Sequence, residues 1–156
     1  HGAALGGGAG IVAACDVAVA VKNTSFRFSE VRLGLTPATI SPYVVEAIGP
    51  RMARALFASA EGCNGEYAEK IGLVQYAVET EAELTSMMEH LSELAMAAAP
   101  GAVSDSKALV RHVQSHAIDE HLLKETARRI AKRRASSEGR EGLKAFLEKR
   151  KPEWNS

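Results

Sequence analysis

Two features of the sequence could do chemistry: a glycine-rich loop near the first residue and a glutamate, Glu30, further along the chain. The loop, residues 6–10, reads GGGAG and leads into an apolar run over residues 11–15. This pattern predicts a tight loop that opens a short helix. A helix start presents free N–H groups and the positive end of a dipole, so it can bind a phosphate or a developing oxyanion.

Three interpretations of the loop compete. A nucleotide-hydrolase phosphate loop ends in Gly-Lys-Ser/Thr, and apolar residues stand there instead. A dinucleotide fingerprint fits residues 8–13, with Glu30 about 20 residues further on, but β-type alternation resumes at Val17 and leaves too little helix for a Rossmann unit. The third interpretation is an oxyanion hole that uses the Gly7 N–H. The glycines could equally serve only close backbone packing, and the loop alone leaves both readings open.

Glu30 follows a β-like stretch and stands among apolar neighbours. A carboxylate beside Phe28 and Val31 is suited to exchange a proton with a substrate. A lone glutamate after a strand can also cap or solvate a turn, so its type and position do not by themselves establish a catalytic role.

The elements that position these residues fall into two parts, 1–79 and 80–156, of an α/β chain. In the first part, the patterns predict strands over 17–21 and 26–28 with a turn at 22–24, helices over 43–48, 51–58 and 66–70, and a strand over 73–78. Almost no regular structure is expected before the glycine loop. In the second part, strong helix formers predict helices over 81–99, 102–115, 119–134 and 138–149. In the third of these, a stripe at helical spacing is expected opposite Lys124, Arg128 and Lys132; its members are Leu122, Leu123, Thr126, Ala127 and Ile130.

Composition excludes several classes of function. The chain has 156 residues, with 19 Lys plus Arg and 19 Asp plus Glu, so no bulk charge indicates a nucleic-acid or membrane-surface partner. The apolar stretch over 3–21 is broken by glycines and by Asp16, which argues against a membrane span or a signal peptide. Cys15, Cys63 and the five histidines lack metal-site or disulfide spacing, so we predict no metal and a reducing compartment.

Several motifs in register resemble the crotonase (enoyl-CoA hydratase/isomerase) superfamily. They are HGAALGGG at 1–8, ACD at 14–16, FSEVRLGLTP at 28–37, Ala68 before IGLV at 71–74, and EGLKAFLEKRKP at 141–152. The resemblance runs through the whole chain. It implies a spiral of ββα units, of which this chain would be the second half, followed by a helical region at 80–156 that assembles homotrimers or hexamers. It also implies acyl-CoA thioester substrates, with coenzyme A as part of the substrate and no other cofactor.

The resemblance also implies roles for individual residues. Gly7 matches one of two backbone donors to the thioester oxygen, beside a substrate-contacting Gly6, and the other donor would lie in an upstream half. Glu30 matches the second of two glutamates that hydratases use. The first would fall at Gly10, so the standard two-carboxylate mechanism is in doubt. Three alternatives follow. Glu30 could act alone through one water, or the missing glutamate could be replaced by an upstream group or by the N–H near Ala38. The third alternative is a reaction that needs only one base.

Two further regions bear on the substrate. The segment PATISPY at 37–43 together with Gly10 is similar to the branch of methylglutaconyl-CoA and isohexenylglutaconyl-CoA hydratases, which implies a branched or carboxylated enoyl group. Ser41 and Tyr43 could shape the acyl pocket, although a tyrosine that opens an amphipathic helix can also be a half-buried packing residue. Phe146 and Lys149 match positions that reach the adenine and phosphates of CoA. The expected function is a hydratase-like lyase, with an isomerase or a catalytically silent CoA-ester binder as alternatives. The expected compartment is the cytoplasm, or the mitochondrial matrix in a eukaryote.

Overall fold

A computed structural model describes residues 1–155 of the chain. They form two compact units, one over His1–Glu89 and one from His90 onward. Short strands lie in the first unit: β1 (Ala3–Leu5), β2 (Val19–Val21), β3 (Ser25–Arg27), β4 (Gly62–Asn64) and β5 (Tyr76–Val78). The helices are α1 (Gly7–Ala14), α2 (Ser41–Ser59), α3 (Gly65–Lys70), α4 (Glu81–Ala97), α5 (Pro100–Gln114), α6 (Glu120–Arg134) and α7 (Ser137–Glu148), with short 3-10 helices at Glu30–Leu33 and Glu153–Asn155.

The strands form two small sheets. In one sheet β3 lies between β1, to which it is parallel, and β4, to which it is antiparallel. In the other, β2 and β5 are parallel. The sequence correctly predicts β2 and β3 with a turn between them. They do not pair with each other, because each finds its partner far away in the sequence.

Strand β1 corrects the expectation that almost no regular structure precedes the glycine loop. Its register with β3 runs from Ala3 opposite Ser25 to Leu5 opposite Arg27. A three-residue strand carries almost no periodicity of its own, and it becomes a strand because β3 supplies the ladder.

The core of the first unit is apolar and lies under the strands, α1 and α2. The Phe28 ring, 2% exposed, meets the ring of Phe57 edge to face, with 5.2 Å between the centroids. Around them pack the other buried members of the cluster, Ala9, Ala20, Phe26, Val44, Ile48, Ala53, Leu56, Ala68, Leu73 and Val74. This packing fixes the strand that leads directly to Glu30.

The two helices predicted over 43–48 and 51–58 are both present, as the two arms of α2. Helix α2 runs from Ser41 to Ser59 with a kink at Gly49, whose φ of 74° and ψ of 160° are not helical. Pro50 follows and cannot donate a backbone hydrogen bond, so the break predicted at Gly49-Pro50 is present as an interruption rather than a loop. Likewise, only Tyr76–Val78 of the predicted strand over 73–78 is extended and paired.

The helices of the second unit are held by polar contacts. The Glu138 carboxylate accepts a hydrogen bond of 3.1 Å from the Gly101 N–H at the start of α5 and pairs with Arg133 of α6, which also contacts Asp105 at 3.0 Å. In α6, Leu122 is buried, whereas Leu123 and Ile130 of the predicted apolar stripe are 60% and 61% exposed. Across the described residues, no helix combines the length and the apolar character needed to cross a bilayer.

Candidate active site

The parallel pairing of β1 and β3 brings the glycine loop and Glu30 to the same edge of a sheet. The strands end side by side, with Leu5 opposite Arg27. The Gly6 N–H then donates a hydrogen bond of 2.8 Å to the Arg27 carbonyl, which extends the ladder by one rung. The loop and the segment that carries Glu30 therefore leave the sheet together.

Gly6 turns the chain from β1 into α1. Its φ of 52° and ψ of −121° lie in a region that side chains other than hydrogen strongly disfavour. The Gly6 carbonyl accepts a hydrogen bond of 3.1 Å from the Gly10 N–H, which closes the first helical turn. The amides of the first turn, including that of Gly7, have no acceptor within the helix. Gly7 and Gly8 are exposed, so the N–H groups of this turn lie at the surface of the chain.

The carboxylate of Glu30 lies against this turn. Glu30 begins a 3-10 helix that ends at Gly34, whose φ is 71° and whose N–H bonds back to the Glu30 carbonyl. Oε2 of Glu30 is buried and has no hydrogen-bond partner among the described residues. Oε1 would lie only 3.2 Å from a methyl group placed on Gly6. A buried carboxylate oxygen without a donor is costly, and a catalytic role is one physical explanation for such a group.

Ile40 makes a contact near the candidate site that the sequence did not predict. A methyl group on Gly10 would lie 2.6 Å from Ile40 Cβ and closer still to Ile40 Cγ2, so the Ile40 side chain fills the space where a side chain at position 10 would project. The signal that could have revealed it was present. Gly10 and the segment that contains Ile40 both depart from the pattern of the superfamily that the sequence resembles. In the structure these two residues pack against each other.

Ala38, whose N–H could replace a water-orienting group, lies just before α2, and Tyr43, predicted to shape the acyl pocket, lies in its first turn. The Ala38 carbonyl accepts a hydrogen bond of 2.9 Å from the Ser41 hydroxyl, in an exposed turn. Tyr43 is half exposed in the first turn of α2. Ile40 stands between them as the residue before the helix. The side chain of Tyr43 is therefore accessible, and the turn at Ala38 is ordered by Ser41.

Phe146 and Lys149, predicted to contact CoA, lie at the end of α7 in the second unit. Phe146 is 81% exposed, and Lys149 ends the helix with a φ of 54°. The chain that follows is anchored by Arg150, whose guanidinium donates to both oxygens of Glu141 at 2.6 and 2.9 Å. These hydrogen bonds hold the pKa of Glu141 below its usual range.

The second unit also contains an open groove between α5 and α6, with a volume of about 920 Å³. Its lining carries both signs of charge, including Asp105 and Glu125 against Arg128, Arg129 and Lys132. None of the predicted site residues lines it. Over residues 1–155, no group of three or more His, Cys, Asp or Glu side chains is placed to hold a metal ion.

Comparisons with known proteins define the class to which this fold and site belong. Residues 1–156 match the enoyl-CoA hydratase/isomerase family, and the chain is a member of that family. The crystal structure of a Legionella pneumophila protein assigned to the same family, also described as a crotonase, superposes with a TM-score of 0.92 at 50% identity. The match covers 99% of this chain and 60% of the Legionella chain.

Two curated relatives carry named hydratase activities. The crotonyl-CoA hydratase of Syntrophomonas wolfei is 34% identical over 97% of this chain and 58% of its own length. The 2,3-dehydroadipyl-CoA hydratase of Escherichia coli is 31% identical over 99% of this chain and 60% of its own length. The chain thus spans about 60% of the length of the relatives it matches.

Proposed function

We propose that the protein is a hydratase-like lyase that adds water to a short or branched 2-enoyl-CoA thioester, of which 3-methylglutaconyl-CoA is one candidate. The observation that carries this proposal is the Glu30 carboxylate, which packs against the first turn of α1 and has one buried oxygen without a hydrogen-bond partner in the described part of the chain. Family membership and the named hydratase relatives support the same reaction class.

In this mechanism the Gly7 N–H donates to the thioester oxygen as that oxygen gains the charge of an enolate. One such donor contributes about 10²–10³ in rate in a comparable oxyanion hole. Glu30 takes a proton from a water molecule while the water oxygen bonds to carbon 3 of the enoyl group. Glu30 then returns the proton to carbon 2, so the elements of one water are added across the double bond. Gly6 keeps the carboxylate close, since it has no side chain to push it away.

A crotonase-type isomerase is the second candidate, and the Gly10–Ile40 packing favours it. Isomerisation needs a single base that removes a proton from carbon 2 of a 3-enoyl thioester and returns it to carbon 4. Ile40 occupies the space next to Gly10, so position 10 supplies no second carboxylate to orient water. Glu30 alone suffices for this reaction.

The remaining parts of the proposal concern the whole protein. The chain would be the C-terminal part of a crotonase subunit, with its ββα units continuing a spiral and its helical region at 80–156 assembling a trimer or hexamer. The exposed Phe146 and the neighbouring Lys149 would contact the adenine and phosphates of CoA. Their exposure at the end of α7 supports this role, because both side chains are free to meet a ligand or a neighbouring subunit.

The test is Glu30→Gln in the complete protein, followed through the absorbance of the conjugated enoyl thioester. Loss of a general acid–base group lowers the rate by about 10²–10⁴. Glu46→Gln, an exposed glutamate of α2, is the matched control and should leave the rate unchanged. A Glu30→Gln rate within a few-fold of wild type would exclude Glu30 as the catalyst. A product with a shifted double bond and no added water would identify the isomerase, and CoA-ester binding without turnover would identify a silent binder.

A further inference from the structure

We propose that Ile40 is a specificity-determining residue, which forms an apolar wall beside the Glu30 carboxylate and contacts an alkyl substituent of the acyl chain there. The inference rests on the proposed function, because it assumes that Glu30 works on an acyl thioester. It adds which residue forms the surface beside Glu30 and which chemical class of group binds there.

Glu30 and Ile40 both pack at the first turn of α1. Glu30 approaches the turn at Gly6, and Ile40 approaches it at Gly10. These two glycines are joined by the hydrogen bond from the Gly10 N–H to the Gly6 carbonyl, so they lie at the two ends of one helical turn. At a rise of about 1.5 Å per residue, the two points of contact are about 6 Å apart along the axis. A group bound against Glu30 is therefore within reach of Ile40.

The packing also fixes the polarity of this wall. A side chain at position 10 would collide with Ile40, so a carboxylate or other polar group cannot be added there while Ile40 is present. Ile40 is itself only partly buried, and it packs on the apolar core formed by residues such as Val44 and Ala9. Its remaining accessible surface is hydrocarbon. A methyl or longer alkyl branch gains by burial against such a surface, whereas a charged group would lose its hydration.

The experiment compares two probe substrates, 3-methylcrotonyl-CoA and crotonyl-CoA, which differ by one methyl group on carbon 3. The measured quantity is the ratio of their kcat/KM values in wild type, Ile40→Val and Ile40→Ala. One methyl group in an apolar pocket is worth about tenfold or more in discrimination. We expect the preference for the branched substrate to fall about tenfold in Ile40→Ala and less in Ile40→Val. Both substrates are measured on one preparation, so any loss of folded protein cancels in the ratio.

Ile118→Ala is the matched control, since Ile118 is 83% exposed and belongs to the second unit; its ratio should equal that of wild type. An unchanged ratio in Ile40→Ala overturns the role of Ile40, while loss of activity in Glu30→Gln would still support the proposed function. If neither thioester is turned over, the ratio of their Kd values by calorimetry gives the same test. Failure to bind either thioester would overturn both proposals.

Discussion

The Glu30 carboxylate lies so close to the backbone of Gly6 that a methyl group at position 6 would press against it. A methyl group there would approach Glu30 Oε1 to 3.2 Å, and the φ of Gly6 is already positive at 52°. The same residue bonds to the Arg27 carbonyl and caps α1. One glycine therefore joins the strand, the helix and the proposed acid–base group.

We expect Gly6→Ala to destabilise the fold and to displace Glu30. A non-glycine residue in this backbone region costs about 1–3 kcal/mol, and the new methyl group pushes on the carboxylate. Gly8→Ala is the control, because a methyl group at Gly8 meets nothing within 4 Å and the helix gains propensity. The measurements are the free energy of unfolding in urea and kcat. Equal stabilities for the two variants would contradict the strain at Gly6.

The contact between position 10 and Ile40 is testable as a double-mutant cycle on stability. Gly10→Ala should destabilise the protein strongly, because the new Cβ overlaps the Ile40 side chain. The partner variant must be Ile40→Gly, since an alanine at position 40 would retain a Cβ at 2.6 Å. Residues in contact show coupling energies of about 0.5–3 kcal/mol. We expect the double variant to be more stable than the sum of the single effects predicts; strict additivity would show that the two residues do not meet.

Gly65 is a position where the backbone of α3 approaches β2 too closely for a side chain. A Cβ at position 65 would overlap the carbonyl oxygen of Val21 and lie 3.1 Å from the carbonyl carbon of Val21. Because backbone atoms cannot move aside as a flexible side chain can, Gly65→Ala should cost about 1–3 kcal/mol. Glu66→Ala, at the next and exposed position, is the control and should change stability much less. Thermal denaturation followed by circular dichroism compares them.

The Glu141–Arg150 pair predicts a pH dependence of stability. The pKa of Glu141 is lowered in the folded state, and the largest cause is the hydrogen bonding from Arg150. The stability that the Glu141 charge gives the folded state is therefore fully present above the ordinary glutamate pKa of about 4.3. It is lost as the pH falls below that value and through the lower pKa of the folded state. The Tm of Glu141→Gln should lie below that of wild type at neutral pH, and the two values should converge in acid. A constant difference over this range would show that the carboxylate charge plays no part.

The sequence singles out Gly7 and Glu30 as the central residues of the candidate site for identifiable reasons, and their roles there stay predictions. Gly7 and Glu30 lie in short motifs whose local patterns, a glycine loop before a helix and a glutamate after a strand, are visible without a fold. Their convergence follows once β1 and β3 are known to be parallel. All the site roles remain predictions, since their chemistry depends on a bound thioester; this holds for Gly6, Gly7, Glu30, Ala38, Tyr43, Phe146 and Lys149.

What the sequence does not predict depends on contacts between distant residues. Ile40 reads as one apolar residue before a helix, and its importance appears only when it meets Gly10. Strand β1 is three residues long and is defined by its partner. Conversely, the alternation over 17–21 and 26–28 predicted two strands but could not show that each would pair elsewhere. Local pattern determines the type of element, and long-range pairing determines its neighbours.

The proposed division of the chemistry between a backbone amide at Gly7 and a side chain at Glu30 has an evolutionary consequence. A point mutation can replace the acid in a single step, yet the amide persists whichever residue occupies its position, except proline. The enolate-stabilising half of such a site is therefore inherited with the fold, while the proton-transferring half is free to diverge. Proteins that share this fold can acquire new reactions when residues around the carboxylate change, while the loop that stabilises the enolate stays the same.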